Sequence, residues 1–428
     1  MAIRRGRHRR LRIERLEPRT VLAGNVTANV VDGMLEIQGD SDDNLILVEQ
    51  VGVGEYRITG DLTSVNNSTL PVEFTGVTGA ITIAMRGGND GVLIAAGATT
   101  PADLLIDGGS GNDQITLGEA GVGGVDVTGT LAIRTGAGDD VVMFDGTSLA
   151  KNVIGGDLLV NTGADNDVAV FLLTNVGGNM VVTSGSQDLQ LDEFTLIDVT
   201  VVGNLDISGG AGIDAVTVAL SQVQGNLRIA SHAGDDFVSV ADFSSIGGTA
   251  ELRLGAGNDV LDLNGVAFGS DVSIVAGAGM DLIVASDIST VESSVLQVVN
   301  GGDNDQLFLI ECQIGGEMLI RGGQGGDLIT VSGGEYGSAV EIRLGGGDDT
   351  LLIEFAVFLD QLLIAGGGGD DEIVFDQVTF GEDAEVLIRG GQGDDLLDLG
   401  GLDQGVIDQF FSVFGVEEVI LPPPPPPE

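Results

Sequence analysis

Tryptophan is absent and tyrosine occurs twice, so aromatic side chains supply only 4% of the 428 residues. A core built by this chain has to be mainly Val, Ile, Leu and Ala. A single cysteine, Cys312, excludes an internal disulfide framework. No run of 18 apolar residues occurs, so no segment reads as a membrane-spanning helix. No segment shows sustained helical periodicity, and no P-loop, zinc motif or nucleophile elbow is present. Cations are scarce: 17 Lys and Arg stand against 65 Asp and Glu, a net charge of −48.

That scarcity is uneven. Eight of the arginines and two of the glutamates fall in the first twenty residues, leaving 9 cations against 63 anions in the rest. A body so acidic repels nucleic acid and anionic lipid and attracts cations. It is not the acidity of a disordered chain, because 43% of the residues are hydrophobic. Seventy glycines without a three-residue period exclude collagen.

What the chain has in abundance is one phrase, shown by "RGGQGDDLLDL" at 389–399 and repeated about fifteen times. Clear copies end at Asp90, Asp113, Asp140, Asp167, Asp214, Asp236, Asp259, Asp281, Asp305, Asp327, Asp349, Asp371 and Asp395; weaker ones end at Asp43 and Asp188. From Asp214 onward the spacings are 22, 23, 22, 24, 22, 22, 22 and 24 residues. An alternating strand precedes each turn. A second strand follows it, with apolar residues two and four places past the Asp, as in Ile115 and Leu117 or Leu397 and Leu399. A shorter apolar patch near a glycine completes the unit. Period-two alternation means one buried face, and only stacking on like neighbours can bury it.

The expected fold is therefore all-β: a right-handed parallel β-helix, or elongated β-roll solenoid, of about 15 coils with 22–27 residues each. At ~4.8 Å per coil the rod is roughly 70 Å long. Residues 25–420 form one domain, preceded by a basic segment over 1–24 and followed by a polyproline tail over 421–428. "NVTANVVDGMLEIQGD" is expected to be an irregular first coil, and Phe410, Phe411 and Phe414 a cap over the last strands.

Glycine and aspartate at each turn admit two readings. In one, the Asp is a corner residue that bonds neighbouring backbone amides. In the other, stacked loops hold Ca²⁺, which takes six to eight oxygens at ~2.3–2.6 Å, about half the coil spacing. Bare carboxylates at ~4.8 Å repel by roughly 0.9 kcal/mol per pair even in water. "GGSGNDQI", "GGAGIDAV", "GGQGGDLI", "GGGGDDEI" and "GGQGDDLL" match G-G-x-G-x-D-x-apolar in full. This resembles the RTX nonapeptide calcium-binding repeat over most of residues 85–400, with one nonapeptide per coil where that family runs them in tandem. The resemblance implies Ca²⁺ as cofactor and, as ligands, Asp113, Asp140, Asp214, Asp236, Asp259, Asp281, Asp327, Asp349, Asp371 and Asp395. Asp90, Asp167 and Asp305 belong to the set with poorer turns.

The opening "MAIRRGRHRRLRIERLEPRTVLAG" lacks the apolar core of a secretory signal. It admits a nucleic-acid-binding arm or an uninformative tail. Through Leu16, Glu17, Pro18, Arg19, Leu22 and Ala23 it also resembles the LEPR-type N-terminal sorting segment. That segment heads large predicted surface or secreted proteins of planctomycete bacteria. The resemblance implies an extracellular or cell-surface location, where weak calcium sites of ~10⁻⁴–10⁻³ M suffice. The expected role is non-enzymatic, structural or adhesive, with envelope or matrix components as partners and no nucleic acid. The alternative is a β-helix polysaccharide lyase or glycoside hydrolase, which needs a patch that breaks the repeat. Asp188, Asp192 and Glu193 in "QDLQLDEF" form the one irregular acidic patch; His232 reads as a solvated turn residue and Cys312 as a structural thiol. Arg134, Arg253, Arg321, Arg343 and Arg389 are expected along one face, offsetting the Asp column.

Overall fold

A computed structural model describes residues 24–185 and 191–423. The basic opening segment, Asp188 and the end of the polyproline tail lie outside these residues. The expected solenoid is what forms. Parallel strands stack coil on coil in one-to-one register, so each residue type repeats up the rod. The strand before each turn, such as Leu104–Ser110, pairs with its counterpart Leu131–Ala137 in the next coil, Ile106 against Ile133. The strand after the turn does the same, Gln114–Leu117 against Val141–Phe144. A short third strand, Asp126–Val127, stacks on Asn152–Ile154.

Alternation decides which side chains enter the core. Ile115, Leu117, Val216, Val218, Leu351, Ile353, Leu397 and Leu399 are all buried, and each such burial stabilises by ~1.5–3 kcal/mol. The core is mainly aliphatic, yet several of the few aromatics go inside it, while Phe237, Phe243 and Phe355 are exposed. Phe144 lies 4.9 Å from Phe171, and Tyr336, Phe358 and Phe380 stack at 5.0 and 6.1 Å. In-register stacking makes this inevitable, since a ring at one rung faces whatever occupies the next.

The two ends depart from expectation. The opening stretch is an antiparallel hairpin, Asn25–Val31 against Met34–Gln38, turning at Asp32-Gly33 with φ of 50° and 82°. Asp-Gly between alternating strands is a two-residue hairpin signal. Leu45–Gly52, Glu55–Gly60 and Val72–Thr75 form a second antiparallel run. At the far end, Gln404–Phe410 is a short α-helix, which the sequence pattern did not suggest. Phe410 and Phe411 pack on Phe380 at 5.5 Å each, but Phe414 is 61% exposed. No helix among the described residues is long and apolar enough to cross a membrane.

Candidate metal centre

The Gly-Asp turns stack at one corner, and their aspartates stand in a single file. Asp90, Asp113, Asp140, Asp167, Asp192, Asp214, Asp236, Asp259, Asp281, Asp305, Asp327, Asp349, Asp371 and Asp395 are all buried, none more than 3% exposed. The carboxylates point into the rod, not to solvent. All thirteen aspartates ending clear copies of the repeat are therefore brought together. The two weaker copies are not: Asp43 is exposed, and Asn44 occupies the rung instead. Asp192, read from sequence as part of an irregular acidic patch, is a rung of the file. For Asp192 the signal was available: Phe194 and Leu196 lie two and four places past it, whereas Gln190 and Asp192 hold those places for Asp188. For Asn44 it was not, because Leu45 and Leu47 past Asp43 are as apolar as Ile46 and Val48, and only the structure shows that the latter pair is buried.

Each carboxylate bonds to the coil before it. The Asp305 N–H donates to Asp327 Oδ1 at 2.9 Å, the Asp327 N–H to Asp349 Oδ1 at 2.7 Å, and the Asp371 N–H to Asp395 Oδ1 at 3.1 Å. The same bond recurs down the file from Asn44, whose N–H donates to Asp90 Oδ1 at 2.7 Å. The plain-corner reading is thus part of the answer: these aspartates do bond neighbouring amides. It accounts for one oxygen only. Oδ2 of Asp113, Asp140, Asp236, Asp259, Asp281, Asp327, Asp349, Asp371 and Asp395, among others, is buried without a hydrogen-bond partner. A buried carboxylate oxygen left so is costly unless a proton or a cation meets it.

Burial is the main influence on these acids and pushes them up. Asp113 and Asp305 rise to about 7, Asp167 to about 8, and Asp236, Asp259, Asp281, Asp327, Asp349 and Asp371 to about 6. The bond from the preceding amide opposes the rise; like charge on neighbouring rungs, as between Asp259 and Asp236, adds to it. Among the described residues, no three His, Cys, Asp or Glu side chains group closely enough to hold an ion by themselves. A cation here would need carboxylates together with backbone oxygens, the donor set that suits a hard ion such as Ca²⁺.

Glycine is required where coils touch. At Gly345, φ is +127° and a Cβ would stand 2.2 Å from the Gly323 carbonyl oxygen of the coil before. Where glycine is missing, other residues take the strain: His232, Asp165 and Asp303 hold φ of 77°, 83° and 74°. His232 is exposed, and its Nε2 lies 3.0 Å from Ser208 Oγ. Cys312 is buried, its Sγ 3.3 Å from the Ala285 carbonyl oxygen, and burial pushes it up to about 11. The arginines share an outer column, Arg321 in register with Arg343, but they do not offset the file. They face outward, where Arg343 pairs with Glu341 and Arg253 with Glu251.

Fold and site together define a parallel β-solenoid with a buried file of carboxylates along one corner. No family model matches the chain, and no curated protein matches it. A solved structure that does is a hyperactive, Ca²⁺-dependent, β-helical antifreeze protein from an Antarctic bacterium. The two share 18% identity, with 82% of this chain and 92% of that one covered, at a TM-score of 0.39.

Proposed function

We propose that this chain is a non-enzymatic structural solenoid whose Gly-Asp corner binds Ca²⁺, displayed outside the cell or at its surface in an adhesive or scaffolding role. The observation that carries the calcium reading is the second oxygen of buried carboxylates such as Asp113, Asp327, Asp371 and Asp395, which no protein donor meets. Asparagine would accept the same inter-coil bond without the charge. Aspartate in its place makes sense when something positive joins it. The surface role rests on the basic opening segment and its likeness to a sorting sequence, together with a rod whose side chains repeat in place of forming a single distinctive cleft.

Thermal unfolding followed by circular dichroism tests the reading, with calcium, magnesium and chelator as the three arms. A higher midpoint in calcium than in chelator is expected, with magnesium less effective because it demands a tighter, octahedral shell. Coincident melts in calcium and chelator would leave only the corner role for these aspartates.

A further inference from the structure

The corners are not alike. The residue five places before each regular-corner Asp sits inside the turn, beside the carboxylate, and its identity divides the file. At Asp113, Asp327, Asp371 and Asp395 it is Gly108, Gly322, Gly366 and Gly390. The point a Cβ would occupy at Gly366 lies 2.4 Å from Asp371 Oδ2 and 2.3 Å from the Gly390 carbonyl oxygen of the next coil. At Gly322 the corresponding distances are 2.7 Å to Asp327 Oδ2 and 2.1 Å to the Leu344 oxygen; at Gly108 they are 2.3 Å to Asp113 Oδ2 and 2.8 Å to the Thr135 oxygen. Gly390 repeats the pattern with Asp395 Oδ2 at 2.4 Å and the Gly415 oxygen at 1.9 Å. Two oxygens from adjacent coils converge over a bare α-carbon, and the carboxylate oxygen of each pair has no hydrogen bond.

Elsewhere that place is filled. Thr135, Ser231, Leu254, Ala276, Asn300 and Leu344 occupy it at the corners of Asp140, Asp236, Asp259, Asp281, Asp305 and Asp349. Ser231 Oγ donates to the Leu254 carbonyl oxygen at 2.9 Å, and Thr135 Oγ1 donates to the Thr162 oxygen. These are the register equivalents of the carbonyls that face the notch at bare corners, so a hydroxyl proton meets the oxygen a cation would otherwise meet. Asp214 has a glycine, Gly209, at the place, but its Oδ2 already accepts the Gly210 N–H at 2.9 Å.

We infer that calcium is confined to four corners, those of Asp113, Asp327, Asp371 and Asp395, and that side chains or a backbone amide close the others. This rests on the calcium reading above. It makes the last coils the ion-dependent part of the rod, with one isolated site near the start.

Direct counting of bound Ca²⁺ on the full chain, by equilibrium dialysis with metal analysis, tests it. About four ions per chain supports the assignment. About fourteen would leave calcium binding intact and overturn the confinement. No bound calcium would overturn both. Two variants sharpen the result. Gly366→Ala has a native precedent in Ala276 at the equivalent rung, and Gly366 is not among the positive-φ glycines, so the methyl asks only that the Gly390 carbonyl and the Asp371 carboxylate, 2.3 and 2.4 Å from its place, draw back. It should bind about one ion fewer, with an unchanged strand spectrum. Ser231→Gly reopens a filled corner and should bind about one more. Counts unchanged in both variants would overturn the assignment.

Discussion

Polar side chains stitch coil to coil both at the buried edge and at exposed edges of the rod, and the bonds run in opposite directions. At the buried edge the carboxylate of one coil accepts the amide of the coil before. At one exposed edge the bond runs the other way: the Asn204 N–H donates to Asn179 Oδ1, the Asn226 N–H to Asn204 Oδ1, and the Thr249 N–H to Asn226 Oδ1, each at 2.9 Å. A neutral amide therefore suffices to join coils. The edge that can least tolerate charge is the one that carries it in file, which a stitching role alone does not require. Exposed rungs mix amides with carboxylates, as where the Asn179 N–H donates to Asp157 Oδ1 at 2.7 Å, whereas the buried file is carboxylate at every described rung after Asn44, which points to an additional partner there.

The largest expected effect breaks the buried edge through its backbone. Gly345→Ala adds a Cβ at a left-handed φ against the Gly323 carbonyl. It should cost roughly 2–4 kcal/mol in denaturant unfolding. Next, Asp349 separates stitching from charge at a corner filled by Leu344. Asp349→Ala leaves the buried Asp327 N–H without its acceptor and should cost about 1–3 kcal/mol. Asp349→Asn keeps an acceptor and removes the charge, so it should cost less than the alanine; an equal loss would mean the charge itself matters there.

Acidity gives a third test. With chelator present, the raised Asp167, Asp236, Asp259 and Asp305 favour folding when protonated. Their contribution is complete below the unfolded value of ~3.9 and is lost as pH rises through about 6 to 8. Chelated protein should therefore melt higher at pH 5 than at pH 8, and because these corners are closed to calcium, their part of that difference should persist when calcium is added. The smallest effect belongs to the exposed edge. Asn204→Ala should cost about 0.5–1 kcal/mol, because water replaces the lost bond, and by the same amount with or without calcium.

Much of this was open to reading from the chain alone. The spacing of the Gly-Asp turns and the period-two alternation dictate stacked strands, because such a unit has no other way to bury its face. The five full G-G-x-G-x-D matches fall at the five corners whose first position is glycine, but nothing in those residues separates Asp214, whose Oδ2 accepts the Gly210 N–H, from the other four. Aligning on glycine misplaced the two rungs at Asn44 and Asp192; the strand's alternation recovers Asp192, whereas the unbroken apolar run Leu45–Val48 leaves the phase at Asn44 to the stacking. The end helix escaped notice because seven residues are too few for a period to show.

Sequence by itself determined the repeat, the in-register stacking and the file of acids, since each follows from local pattern repeated at a constant interval. Only the tertiary structure decided that the carboxylates point inward, that one oxygen of each is used by the neighbouring coil, and at which corners an unbonded carboxylate oxygen and a carbonyl of the next coil converge over a bare α-carbon. Those depend on how closely one coil's carbonyls approach the next, a distance that exists only once the coils are stacked.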